Sequence, residues 1–592
     1  MSDLNLFRYY QRLAPLGIGS EIKTTLQEVS DLLFTSPRHA RSLLSQIQDQ
    51  GWLSWQPKAG RNQRSLLLLN VDSTALKESL ALERIKSGKY EKALTILDED
   101  ELAFGRLLKS TSGASVQEGR LNIQLTYKRV FERIVPHQLQ RSSERFLLRQ
   151  IYCCLVSSDS HGVIKPELAH HWRYNAENYE WTFYLRPGLT FHNGMAIDAD
   201  TVVSLFAKLS SLDYYQKELS HVANISAPTP LKVVFTLNQP DLGFAGLISG
   251  VKYGIQPVSQ VNGSHHNLVV GSGPFTVLEH SEHRLKLQAF DGYYSCRVLT
   301  DFVTIWIVDD EKMENPSLAA KPHQKQLERT NDELSRSMCG HFMSAEDEQG
   351  SVEPQTQHTR IEDGCLFALF NHHAKHSLSD AQRRYIAELI QPKCLIEVMH
   401  EQKIVFGSIP AYNLLPTWQP VLRPFGKEIK LPKIVTIAGY NYTALLRCAR
   451  AIAHCLERVG CKVEIVMYSY RELNDKARNG TLEETMVVTN INLDDNRHAS
   501  AFYNFYSNSV LHHTLGAENA AWLNSRLEAL RGDTPLKDYL DALDPVSATL
   551  VSEYWIAPMF HHTQTLRFQG VLEDVALTNW GWPDIRAVWS AD

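Results

Sequence analysis

The sequence has no run of eighteen apolar residues, so it carries no membrane-spanning helix. It has no excess charge of one sign. Its 60 Lys and Arg stand against 66 Asp and Glu, a net charge of −6, which excludes a polycationic nucleic-acid coat and leaves room only for a local basic surface. The opening Met1–Arg8 has no basic stretch, no apolar segment and no small-residue cleavage site, so no secretory signal is expected. Nine cysteines contain no C-x-x-C pair, and Cys153 and Cys154 are adjacent. Reduced thiols in a cytoplasm are the expectation. G-x-x-x-x-G-K-[ST], G-x-S-x-G, G-x-G-x-x-G and H-E-x-x-H are all missing. His-His pairs occur at 170–171, 265–266, 372–373, 512–513 and 561–562, but neighbours in sequence do not share a face. An enzyme, a metal site and a cofactor are therefore not expected.

What is present is a chain of 592 residues with 43% hydrophobic content, enough for several cores. Leu4, Phe7, Tyr10 and Leu13 recur at helical spacing. Pro15 and Gly17 end that helix. Thr25-x-x-Glu28 is a capping-box pattern before a second helix carrying Val29, Leu32 and Leu33. Ser36-Pro37 then restarts the chain as cap and first helical residue. The third helix carries Ala40, Leu43, Leu44 and Ile47, and Gly51 closes it. Beyond it the period changes: Trp52–Trp55 and Ser65–Leu69 read as two short strands around a loop with Pro57, Lys58, Gly60, Arg61 and Arg64.

Three helices and a two-stranded ribbon are the plan of a winged helix-turn-helix. The face of the third helix opposite its apolar stripe holds Arg38, Arg41, Ser42 and Ser45. Residues 1–70 carry a net +3, leaving −9 for the rest. A small basic head on an acidic body predicts binding to duplex DNA. Arg38, Ser42 and Ser45 are assigned to base edges. Arg41, Lys58, Arg61 and Arg64 are assigned to phosphates.

Residues 73–115 read as a helical linker of two helices about Gly88, ending in the pliable Thr111-Ser112-Gly113-Ala114-Ser115. Strand signals follow at 180–186, 233–237 and 285–290, and 309–362 is a charged insertion. Ile434–Ile437, a helix over 443–459 and Val463–Val466 form a strand–helix–strand unit. Gly271-Ser272-Gly273 is read as a strand-entry turn, with phosphate cradling the weaker alternative.

The run from Ile164 to Trp172, through Tyr179–Gly194, to Ala196–Val202 resembles the signature of the extracellular solute-binding protein family 5. Gly271–Phe275, Trp555–His561 and Trp580–Arg586 are similar to further markers of that family. Ahead of them, Ser36–Arg41 and Gly51–Trp55 with the Gly60-Arg61 wing resemble the SgrR family of bacterial transcriptional regulators. The resemblance covers nearly the whole chain and adds Ser36 and His39 to the DNA-binding set. It implies a multidomain protein. Residues 1–72 would be a winged helix-turn-helix (α+β), 73–115 the linker, and 116–592 a two-lobed α/β, periplasmic-binding-protein-like (type II) domain. It also implies a cytoplasmic response to sugar-phosphate stress, through a small regulatory RNA and transport genes.

In peptide-binding relatives an aspartate after an apolar strand holds the ligand's ammonium group. The comparable stretch is Val487–Arg497, where Asp494 or Asp495 holds that position. The usual tryptophan is missing there, and Arg497 suits an anionic ligand. Asn371, after the apolar Phe367–Phe370, is a further pocket candidate. The expected partners are promoter DNA, a sugar phosphate, sugar or peptide, and RNA polymerase, with no membrane. The alternatives are an exported receptor of an ABC transporter and a DNA-binding protein whose receptor part has lost its ligand.

Overall fold

The computed structural model describes residues 3–58, 64–86, 89–110, 113–117, 119–127, 129–263, 268–307, 338–339, 357–401, 408–424, 428–568 and 572–590. Arg61 and most of the 309–362 insertion lie outside these residues. The chain divides into two bodies, the first made of residues 1–113, 124–129 and a stretch beginning at Trp306.

In the first body the elements run α1 (Asp3–Leu13), β1 (Ile22–Thr24), α2 (Leu26–Leu32), α3 (Pro37–Asp49), β2 (Leu53–Gln56) and β3 (Ser65–Leu69). The expected capping box forms on α2: Glu28 N–H donates to Thr25 Oγ1 at 3.2 Å, and Thr25 N–H to Glu28 Oε2 at 2.9 Å. The sheet has the order β1–β3–β2 and is antiparallel. β1 is one strand more than the ribbon expected; at three residues it is too short to show a period.

Residues 73–110 form three helices, α4 (Ser73–Lys86), α5 (Tyr90–Ile96) and α6 (Glu101–Ser110), and they do not behave as a connection. Leu76, Leu80, Ile85, Ala93 and Ile96 share one core with Leu6, Phe7, Tyr10, Leu44 and Ile47. Trp306 closes that core, edge-on to Tyr90 with ring centroids 4.4 Å apart. Each such large apolar side chain contributes roughly 1.5–3 kcal/mol when fully buried. Gly113–Ser115, read from composition as the end of the pliable Thr111–Ser115 stretch, begin a strand, Gly113–Gln117.

The second body holds two cores. The first surrounds a four-stranded antiparallel sheet of Val222–Thr229, Lys232–Leu237, Glu180–Leu185 and Ala169–Asn175, in that order. Helix Ala199–Ser210 covers it with Val202, Leu205, Phe206 and Leu209; Asp198 Oδ1 accepts Thr201 N–H at 2.8 Å to cap that helix. The second core surrounds a mixed sheet. There Ile434–Tyr440 and Lys462–Tyr468 run parallel across helix Thr443–Arg458, the expected strand–helix–strand unit. Gly364–Phe370, buried along its whole length, pairs antiparallel with Met486–Asn492 and with Ile556–Phe568.

α7 (Ser142–Ile151) buries Phe146, Leu147, Leu148 and Ile151, and Phe146 stacks on Trp582 at 5.3 Å. The turn at Gly271-Ser272-Gly273 packs on the α7 end: a Cβ on Gly271 would stand 2.0 Å from Ile151 O. Ser272 Oγ accepts Cys153 N–H at 3.0 Å and donates to Ile255 O at 2.8 Å. Buried and hydrogen-bonded in this way, the turn is structural.

Candidate functional site

Two sites carry candidate chemistry, one in each body. In the first body, α3 buries Ala40, Leu43, Leu44 and Ile47 and leaves Arg38, Arg41, Ser42 and Ser45 exposed. The whole expected reading face is thus solvent-facing on one rigid helix. Ser36 Oγ accepts His39 N–H at 3.3 Å, so it caps α3, and the half-buried His39 ring meets Tyr9 edge-on at 6.3 Å. Lys58 is exposed at the end of the β2–β3 ribbon, and Arg64 makes only a loose 3.7 Å ion pair with Glu28. Phe34, in the turn before α3, has φ of 52° and is exposed, with the Arg12 guanidinium 5.3 Å from its ring. Sequence reasoning gave no sign of that pair.

In the second body a cavity of about 400 Å³ lies between the two cores. One wall holds Arg141 and Arg145 at the start of α7, with Lys217, Glu218 and Lys252. The other holds Tyr440, Tyr470, Asn490, Asn492 and Asp494. Five cationic side chains face it against three carboxylates.

Asp494 is in the cavity wall, as the sequence suggested, but its carboxylate is occupied from within the chain. Arg145 Nε donates to Oδ1 at 2.7 Å and Trp580 Nε1 donates to the same oxygen at 2.8 Å. Burial works against the Arg145 charge, yet the Asp494 carboxylate together with Tyr470 and Tyr214 outweighs it and raises the guanidinium pKa above its ordinary value. Asp495 does not line the cavity. It meets Arg149, whose Nε and Nη2 stand 2.8 and 2.9 Å from its two oxygens. Arg497 is also off the cavity, donating to Asp363 Oδ1 at 2.8 Å, while Arg360 binds the other oxygen at 2.6 Å.

Asn371 departs furthest from the expectation of a pocket residue. It is buried, and its amide donates to Leu482 O and Glu484 O at 2.8 and 2.9 Å. Its Oδ1 accepts His373 N–H at 3.0 Å, so both polar ends hold backbone. The candidate ligand set is thereby separated: Asp494 faces the cavity, and Asn371, Asp495 and Arg497 do not.

The cavity has residues the sequence reading did not single out. Lys217 Nζ donates to Asn524 Oδ1 at 2.9 Å and lies 3.1 Å from His512 Nε2. Burial lowers its pKa to about 8. Lys252 is paired with Glu218. Behind Asn492 burial pushes the Glu362 carboxyl up to about 8, with Arg360 pulling the other way. Arg141, Arg145 and Arg149 recur every fourth residue. Arg141 is the N-cap of α7 and Arg145 and Arg149 lie within it; of the three, Arg141 and Arg145 reach the cavity, and their spacing was the available signal. Among the described residues no group of three or more His, Cys, Asp or Glu side chains is placed to hold a metal ion.

Residues 5–119 match the family described as "Sugar transport-related sRNA regulator N-term", and 163–319 match "Bacterial extracellular solute-binding proteins, family 5 Middle". The HTH-type transcriptional regulator SgrR of Yersinia pseudotuberculosis is 29% identical over 594 residues, spanning all of this chain and 99% of its own. That of Photorhabdus laumondii is 27% identical over 597 residues with the same coverage. Over its whole length the chain is thus similar to the SgrR transcriptional regulators, and its N-terminal part matches their regulator domain.

The solved structures similar to this SgrR-like chain are solute-binding proteins, and they show the fold of its second body. DppA of Helicobacter pylori, in complex with a peptide, covers 80% of this chain and 99% of its own, at TM-score 0.62 and 16% identity. The murein tripeptide binding protein MppA of Escherichia coli gives 80%, 99%, 0.62 and 15%. The type II periplasmic-binding-protein architecture and the winged-helix head are as the sequence implied. No described helix is long and apolar enough to cross a membrane.

Proposed function

We propose that this SgrR-like chain is a one-component, ligand-responsive regulator working in the cytoplasm. Its α3 and wing bind duplex promoter DNA, and a small molecule in the inter-lobe cavity sets its activity. The ligand class is a sugar phosphate, sugar or peptide. Its targets are the genes of sugar-phosphate stress and sugar transport, including a small regulatory RNA, with RNA polymerase as the contact on the promoter. The regulator domain's name and its full-length relatives support this reading. One observation carries it: α3 presents Arg38, Arg41, Ser42 and Ser45 on a single exposed face while its other face is committed to the core.

Receptors of this fold switch by hinge motion, and a ligand shifts the equilibrium only as far as it prefers one state. A complete switch from 1:99 to 99:1 requires about 5.5 kcal/mol of preference. The test is fluorescence anisotropy of the full chain on labelled promoter fragments at several salt concentrations, with and without a sugar, sugar-phosphate and peptide panel. Salt-dependent, sequence-selective binding altered by one class is the expected result. Salt-independent or absent binding overturns the regulator reading. Recovery of the chain from the periplasm would favour an exported receptor.

A further inference from the structure

The cavity's charges divide by whether they are already answered. Arg145 is answered by Asp494, Lys252 by Glu218, and Arg478 by Asp475. Lys217 is held by Asn524 and His512. Arg141 is different. Among the described residues no carboxylate lies within ion-pair distance of it, and its Nε is shielded from solvent with no hydrogen-bond partner. Its guanidinium carbon stands 5.7 Å from the Tyr440 ring centroid and 5.8 Å from that of Tyr470. Those two rings meet edge-on, 5.0 Å apart, and make an aromatic corner. Stacking holds the guanidinium in place without spending its donors. Arg141 is also the N-cap residue of α7, a ten-residue helix with no side-chain cap, and Arg141 and Ser142 both face the cavity. The positive end of the helix and the open guanidinium therefore meet in one place.

The opposite sign is answered inside the cavity at Asp494 and Glu218, and the third carboxylate of the lining, Asp213, is exposed to solvent. The carboxylate that would receive a peptide's ammonium group, Asp494, already takes two donors from the chain on one oxygen. A cationic ligand end would have to displace Arg145 from a buried ion pair.

We propose that the cavity selects an anionic ligand whose carboxylate or phosphate docks on Arg141 in the Tyr440–Tyr470 corner. This rests on the reading of the cavity as the ligand site and names the chemistry it prefers. The guanidinium fork matches either group through paired N–H donors. Asn490 Oδ1, which accepts from Tyr440 Oη at 2.5 Å, also lines the cavity and is available for a neutral part of the ligand.

The test uses the full chain and calorimetric titration with matched probes: a hexose, its 6-phosphate, the corresponding hexonate, a dipeptide and the N-acetylated dipeptide. The phosphate and hexonate arms distinguish the two anion sources. Expected is binding of at least one anionic sugar about tenfold or more tighter than the neutral hexose. Arg141→Gln should erase that preference, and Arg141→Lys should keep part of it. The melting temperature of each variant without ligand establishes that it is folded. An unchanged preference in Arg141→Gln overturns the inference, and so does a dipeptide that binds more tightly than its acetylated form. If neutral sugars or peptides bind without an anion preference, the inference falls and the ligand-sensing reading stands. If no probe binds, both fall.

Discussion

Arg145 Nε stands 2.7 Å from Asp494 Oδ1, across 349 residues of sequence, with both side chains largely withdrawn from water. Both residues of the pair line the cavity. Asp495 repeats the contact one step on with Arg149, so two adjacent acids grip one face of α7 at i and i+4. Removing one partner leaves a buried charge unanswered, at a cost of about 3–5 kcal/mol. Asp494→Ala should lower stability by that order in urea unfolding. The double variant Arg145→Met with Asp494→Leu should recover much of the loss, because apolar groups need no partner there. A single variant as stable as the parent would show that the pair is not coupled.

Glu362 predicts a gain of stability by substitution. Its folded pKa, about 8, lies above the ordinary 4.5, because burial penalises the carboxylate. A raised folded value means that the group's stabilising contribution is complete at low pH and is lost as pH climbs from 4.5 through 8. Glu362→Gln keeps the shape and removes the titration. It should be more stable than the parent by about 1–3 kcal/mol at pH 8 and no different at pH 4.5. Equal melting temperatures at both pH values would refute it.

Three histidines act in the acid range. Burial lowers His192, His512 and His562 to about 4 each, from 6.5. His192 shows why: its Nδ1 accepts Gly271 N–H at 3.1 Å and its Nε2 lies 3.0 Å from Gly273 O, which fixes the neutral ring. The unfolded chain takes up protons below pH 6.5 while the folded chain does not, so stability falls between 6.5 and 4. His512→Gln should reduce the slope of unfolding free energy against pH in that window by about one proton's worth. An unchanged slope would mean that His512 titrates normally.

On α3 the two arginines should behave differently. Arg38→Ala should cost about 1–3 kcal/mol on the cognate promoter and little on unrelated duplex, as expected of a base contact. Arg41→Ala and Lys58→Ala should weaken both alike and reduce the salt slope by about one each. Anisotropy titrations over a range of salt concentrations separate the two patterns. If Arg38→Ala weakens both duplexes equally, its role is phosphate contact.

The cap of α3 is a smaller check on local structure. Ser36 Oγ satisfies an otherwise free N–H of the first turn. Ser36→Ala should destabilise the first body by about 1 kcal/mol, and Ser36→Asp should retain most of it. Thermal unfolding followed by circular dichroism measures the difference.

The three helices and the ribbon of the first sixty-nine residues were legible because the signals that start and stop them are near in sequence, whereas β1, which pairs with the distant β3, was not. The capping box of Thr25 and Glu28, the Ser36-Pro37 restart and the spacing of Ala40, Leu43, Leu44 and Ile47 all act within about two helical turns. The strand–helix–strand unit at 434–468 was legible for the same reason. Composition misled at 73–115: short helices about Gly88 look like a linker, yet their apolar side chains find a shared core with α1 and Trp306.

In the cavity, residue type determined which groups can ionise, and tertiary structure alone decided which of them are free. Asn371 was spent on the backbone of Leu482 and Glu484, Arg497 on Asp363, and Asp494 on Arg145 and Trp580. Each of these partners is more than eighty residues away. The physical reason is that a buried charge or amide must be answered, and the route of the chain determines by what. Arg141 kept its donors because the elements packed around it offered rings and no acid.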